Sequence, residues 1–244
     1  MISFFQMMKG RNLVNAIGIP CWLFLIWKGG LYYTIFMLVS CVLALGEFYH
    51  IMEKKGAKPL RWLGMGSTVF IADYYYVQPI LTTHQMLGII IFIVLITSFL
   101  ELFSGNKSPS LNIASTFAGI LFVPVLLGTS IDIRQYDLLM STNLTFALVI
   151  SVWACDSAAF IFGTSFGTKK IMPSISPKKS WVGSLSGLIA SLLVFYFFQK
   201  QGLLGSFFEM KDAMVIGLIC GVIGQLGVFT ESMLKRDVGI KDSG

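Results

Sequence analysis

Residues 142–163 read TNLTFALVISVWACDSAAFIFG, a run with no lysine or arginine and a single carboxylate, Asp156. An α-helix rises about 1.5 Å per residue, so a helix of this length spans about 33 Å, enough to cross a hydrocarbon core about 30 Å thick. Seven further runs have the same character, at residues 12–27, 31–50, 62–81, 85–104, 111–129, 182–199 and 213–231. Together they predict an all-α fold: one domain over residues 1–244, a polytopic integral membrane helical bundle of about eight transmembrane helices. The composition agrees. Apolar residues make up 55% of the chain and charged residues only 12%, about half the charged fraction a water-facing domain carries. That deficit excludes a soluble globular enzyme, a disordered chain and a nucleic-acid-binding domain, despite a net charge of +6.

Lys9 and Arg11 precede the first apolar run as in a secretory signal, but no small-x-small cleavage site follows, so an uncleaved first helix is expected. With the N-terminus in the cytoplasm, 14 of the 18 lysines and arginines fall in inner segments and 4 in outer ones. This is the bias of the positive-inside rule, and it places both termini on the cytoplasmic side. The basic excess then means topology and contact with headgroups or phosphates, with membrane lipids as partners and no nucleic acid. Cys21, Cys41, Cys155 and Cys220 lie within apolar runs without C-x-x-C spacing, which indicates buried thiols rather than disulfides or a zinc site.

The informative residues are those that are expensive where they stand. Asp156 lies inside a membrane run, and a charged side chain there needs a partner or a polar cavity. Glu47 and Glu101 stand near span ends and read as interfacial, while Asp73 stands inside its span, before Tyr74-Tyr75-Tyr76, and reads as structural. The inner loop Lys169-Lys170-Ile-Met-Pro-Ser-Ile-Ser176-Pro177-Lys178-Lys179-Ser180-Trp181 is basic, rich in hydroxyls and expected to be flexible, suited to phosphates through its lysines and backbone N–H groups. The segment from Glu231 to Gly244 gathers Ser232, Lys235, Arg236, Lys241 and Asp242 at the same membrane face. Cations there can neutralise phosphate while carboxylates hold a divalent metal that bridges it. Gly183-x-x-x-Gly187 and Gly217-x-x-x-Gly221 predict close helix packing.

Ser232-x-Leu234-Lys235-Arg236-x4-Lys241-Asp242-x-Gly244 resembles the first half of the signature of phosphatidate cytidylyltransferases, also called CDP-diacylglycerol synthases. The stretch from Asp156 through Gly163, Gly167 and Ser176-Pro177-Lys178-Lys179-Ser180-Trp181 to Gly183 is similar to a second region of that family, and Glu47-Phe48-Tyr49 with the following Lys-Lys-Gly-x-Lys-Pro loop to a third. The resemblance implies Mg²⁺-dependent transfer of a cytidylyl group from CTP to phosphatidate, giving CDP-diacylglycerol and pyrophosphate in phospholipid biosynthesis. It implies a site at the cytoplasmic face of a bacterial-type inner membrane, within residues 156–244, and a possible homodimer. The roles it implies are catalytic for Lys235, Arg236, Lys241 and Asp242, substrate-binding for Ser176, Lys178, Lys179 and Ser232, and metal-holding for Asp156 and Asp242. Three departures stand beside it. The sequence ends at Gly244, before the His-Gly-Gly and Asp-Arg-x-Asp that usually follow in that family. Val228 stands where an aspartate is usual and Val182 where a glutamate is usual. A catalytically inactive or truncated homologue is therefore an alternative expectation, and a small polytopic transporter is another.

Overall fold

A computed structural model of the chain describes residues 17–77, 83–136, 140–206 and 208–240. These residues form helices α1 (Ile17–Lys28), α2 (Gly30–Lys54), α3 (Arg61–Val77), α4 (Thr83–Leu102), α5 (Pro109–Ile120), α6 (Leu126–Gln135), α7 (Met140–Phe166), α8 (Trp181–Lys200) and α9 (Met210–Asp237). Among the described residues there is no β-strand, only one isolated bridge between Lys170 and Ser180. Six helical segments are long and apolar enough to cross a membrane: Gly30–Lys54, Gln85–Leu102, Pro109–Gln135, Met140–Phe166, Trp181–Lys200 and Met210–Asp237. The protein is thus an integral membrane protein. The other two expected spans, 12–27 and 62–81, run into residues outside the described ones; their described helices are α1, with 12 residues, and α3, with 17.

The helix expected at 111–129 extends further, through a five-residue π-helical turn, Leu121–Val125, that joins α5 to α6. Pro124 sits inside that turn. Its ring and missing N–H break the regular i→i−4 ladder, and one wider turn absorbs the fault without ending the helix. The Tyr75 hydroxyl donates to the displaced Val125 carbonyl at 3.0 Å, as non-aqueous surroundings require.

The bundle has two parts. Helices α2, α3, α5 and α6 pack together around Tyr33, Ile71, Tyr74, Tyr75 and Ile131, with α1 against them. Helices α7, α8 and α9 form a second group. Trp22 of α1 meets Trp153 of α7 edge-on, with ring centroids 5.4 Å apart. At one end of the bundle, Arg134 of α6 is buried and caps α1, its guanidinium donating to the carbonyls of Ile26 at 2.6 Å and Trp27 at 3.2 Å. A cation there satisfies orphan C-terminal carbonyls and complements the helix dipole.

The opposite end holds a buried polar network. Glu101, read from sequence as interfacial, is only 3% exposed. Its carboxylate accepts from Ser104 Oγ at 2.5 Å, Asn106 Nδ2 at 3.1 Å and Asn112 Nδ2 at 2.9 Å. Asn112 Oδ1 in turn accepts from the Lys58 backbone N–H at 2.6 Å, and Thr116 Oγ1 from that of Leu60 at 2.9 Å, so the α2–α3 connection is fastened to α5. Replacing Asn112 by alanine removes a donor and an acceptor at once, leaving the buried Glu101 carboxylate one donor short and stranding the Lys58 backbone N–H. A loss of about 2–3 kcal/mol is expected, measured as a lower unfolding temperature of the detergent-solubilised protein; an unchanged temperature would show the network to be slack.

Candidate active site

The second helix group is held together by small residues. At Gly183 an added Cβ would lie 2.6 Å from the Ala159 carbonyl oxygen, and at Gly187 it would lie 2.8 Å from that of Cys155. The absence of side chains there lets α8 lie directly on the backbone of α7, the close approach that the four-residue glycine spacing predicts. Deeper in the group, Ser191 Oγ donates to the Gly217 carbonyl at 2.8 Å, and Gln225 Nε2 to those of Ser184 and Gly221 at 2.9 and 2.8 Å. The Ser191–Gly217 and Gln225–Ser184 bonds tie α9 to α8.

Between α7 and α8 the chain turns back through residues 167–180. This connection, expected to be flexible, is closed on itself. Ile171 N donates to Lys179 O at 3.2 Å and Trp181 N to Lys169 O at 3.1 Å, while Ser176 N donates to Met172 O at 2.8 Å and Lys179 N to Ser176 O at 3.2 Å. Ser180, fully enclosed, caps α8: its Oγ accepts from Gly183 N at 3.2 Å and donates to Gly163 O at 3.5 Å. A serine at the N-cap supplies the acceptor that the first turn lacks. Several of the loop's backbone N–H groups are thus satisfied within it.

The result is a cleft of about 800 Å³ bounded by Asp156, Phe160 and Thr164 of α7, the 170–180 loop, the first turn of α8, and Val228 of α9. Asp156 is exposed to it and makes no ion pair among the described residues. The polar surroundings its sequence position demands are this cleft. Lys170, Ser176, Lys178 and Lys179 line the same space. Lys179 Nζ stands 5.3 Å from the centre of the Phe229 ring, a cation–π contact that aims it, and Lys170 Nζ donates to Gly167 O at 3.2 Å. Trp181 opens α8 at the edge of the cleft, so the positive end of a 20-residue helix dipole adds to the three lysines.

Of the residues expected from sequence, the structure therefore brings Asp156, Ser176, Lys178 and Lys179 together. Ser232, Lys235 and Arg236 lie on the last turns of α9, outside the cleft lining, and Lys235 is engaged with Glu231 at 2.7 Å and Glu47 at 3.6 Å. Lys241 and Asp242 lie outside the described residues. Thr164 and Ser184 line the cleft without having been singled out, and Lys170 lines it as a lysine of the basic loop expected to meet phosphates, though not among the residues given a substrate-binding role. Val228 is one of the lining residues, whereas Val182 is 40% exposed and is not.

Fold and site together define a polytopic membrane protein with a cleft at one end of its helices, lined by three lysines of the loop and by Asp156, Phe160 and Thr164 of α7. The model of the cytidylyltransferase family matches residues 9–244, and the chain belongs to that family. Among curated relatives, it is 30% identical to a phosphatidate cytidylyltransferase of Synechocystis over 97% of this chain and 87% of that one. It is 28% identical to one of Staphylococcus aureus over 97% of this chain and 88% of the relative. A third, from Haemophilus influenzae, is 34% identical over 142 residues, which are 57% of this chain and 49% of that protein.

Proposed function

We propose that the protein transfers the cytidylyl group of CTP to phosphatidate, releasing pyrophosphate and leaving CDP-diacylglycerol in the membrane. The observation that carries this reading is the joining, in one cleft, of an unpaired carboxylate, Asp156, with Lys170, Lys178 and Lys179. Two polyanions must meet at such a site, so catalysis is chiefly positioning and neutralisation of charge. A phosphatidate phosphate oxygen attacks the α-phosphorus of CTP, the bond to the β-phosphate breaks, and pyrophosphate leaves with the electron pair. No covalent enzyme intermediate is required. The lysines hold phosphate oxygens as point charges, Ser176 donates from its hydroxyl, and the apolar wall of Phe160 and Val228 accommodates the lipid side.

The donor set fits Mg²⁺. Among the described residues no cluster of three or more metal-binding side chains exists, but Mg²⁺ keeps several waters and typically needs one or two carboxylates plus substrate phosphates. Asp156 supplies one such carboxylate, and Asp242 is proposed as the second. Bound there, the ion would neutralise charge on the phosphate oxygens. Arg236 and Lys241 are proposed to hold phosphate oxygens beside it, with Ser232 as a donor. The same reading puts the cleft and both termini on the cytoplasmic side of a bacterial-type inner membrane, and includes a homodimer. The relatives' names favour the transferase over a transporter.

The test is incorporation of label from CTP into lipid by purified protein with phosphatidate and Mg²⁺. The Lys178→Ala/Lys179→Ala variant is expected to raise KM for CTP by about 10–100-fold, the loss of two charge-assisted contacts. Uptake of a solute without nucleotide consumption would instead support transport.

A further inference from the structure

Helix α9 packs on α8 and α7, whereas α2 packs on α3, α5 and α6. Two ion pairs nevertheless join α2 to α9 at the cleft end of the bundle. Lys235 Nζ lies 3.6 Å from Glu47 Oε1 and 2.7 Å from Glu231 Oε1, and Lys55 Nζ lies 2.7 Å from Asp237 Oδ1. Lys55 also reaches the Asp237 carbonyl at 3.4 Å, at the negative end of the α9 dipole. The Lys235 side chain is only 17% exposed, so its charge is drawn in toward the carboxylates. Along α9, Val228 and Lys235 are seven residues apart, two turns on the same face. The face of α9 that walls the cleft at Val228 therefore continues to the residue that Glu47 holds.

The carboxylates are about half exposed, 48% at Glu47 and 53% at Asp237, and pairs open to solvent on one side contribute about 0–1 kcal/mol to stability, so their weight lies in where they fix α9. We infer that Glu47 is a positioning residue acting through Lys235: together with Lys55–Asp237 it clamps the end of α9 to α2 and sets the face that α9 turns to the cleft. Lys235 is then a positioning cation rather than a phosphate ligand. The inference rests on the transferase reading for its kinetic test but on geometry alone for its structural one.

The experiment is a double-mutant cycle on the full chain, with Glu47→Gln, Lys235→Met and both, together with the charge-exchanged Glu47→Lys/Lys235→Glu. Each neutral single variant is expected to lower kcat about 10-fold with KM for CTP and unfolding temperature unchanged, and the double about 10-fold rather than about 100-fold, because partners in one interaction are not additive. The exchanged variant, made with Glu231→Gln so that the new carboxylate on α9 does not face a second one, should return to within about 3-fold of the Glu231→Gln parent, while either reversal alone falls further. Amide hydrogen exchange over residues 231–237, which needs no turnover, should quicken equally in both singles and the double and slow again in the exchanged variant. Multiplying kinetic losses, a raised KM in Lys235→Met with Glu47→Gln at the parent rate, or unaltered exchange in both singles would overturn the clamp. A parent protein that forms no lipid product from CTP would instead defeat the transferase reading, and the exchange pattern would still decide the clamp.

Discussion

Asp156→Asn is expected to lower kcat for CTP-dependent lipid labelling by about 10²–10³-fold, the scale on which removal of one preorganised electrostatic group acts. Asparagine matches aspartate in shape, so the packing of α7 is undisturbed and the unfolding temperature should stay put. What disappears is the negative charge exposed to the cleft opposite Lys178 and Lys179. A steady-state assay over a Mg²⁺ titration reads the effect: if the carboxylate holds the ion, more Mg²⁺ recovers little of the rate, because asparagine is a weak ligand for a hard cation. A variant as active as the parent would show that the Asp156 carboxylate neither holds the ion nor meets substrate, and the site assignment would go with it.

The second large effect is expected from Gly187→Val. Its Cβ would come 2.8 Å from the Cys155 carbonyl oxygen, 3.0 Å from Cys155 Sγ and 3.3 Å from Ala159 Cβ. The first of these is backbone and cannot turn aside, so α7 and α8 must separate. Overpacking of this kind costs about 1–3 kcal/mol. Separation would also pull the Ser180 cap from Gly163, so activity should fall together with stability. Gly224→Ala is the matched control, since nothing lies within 4 Å of a Cβ there. Thermal unfolding of the two in the same detergent makes the comparison, and equal midpoints would mean that the glycine spacing does not mark a tight crossing.

Much of this architecture was legible in the sequence because hydrocarbon permits few alternatives. A backbone that must satisfy its own polar groups becomes helix, and helix is what the described parts of the apolar runs form. The cleft was legible for the converse reason: Asp156 is conspicuous where charge is costly, and the lysines of 169–179 stand in the adjoining loop. Less was readable where the cause is long-range. The π-helical turn at Pro124 depends on Tyr75 meeting a displaced carbonyl. Glu101 resembles any span-end carboxylate until Ser104, Asn106 and Asn112 fold around it. Lys235 looked like a free cation for phosphate because nothing in the α9 segment announces that Glu47 of α2 stands opposite. The loop expected to be flexible is closed by bonds between its two ends, which no local pattern reveals.

Arg134 bears on how the chain is made. The carbonyls it caps, Ile26 and Trp27, precede it by 108 and 107 residues. At a synthesis rate of about 5–20 residues per second, the first helix must wait roughly 5–20 s before its cap emerges from the ribosome. During that interval its last turn can be completed only by water or by lipid headgroups. The cap of α1 is therefore completed only once α6 has been made, however early α1 itself enters the bilayer.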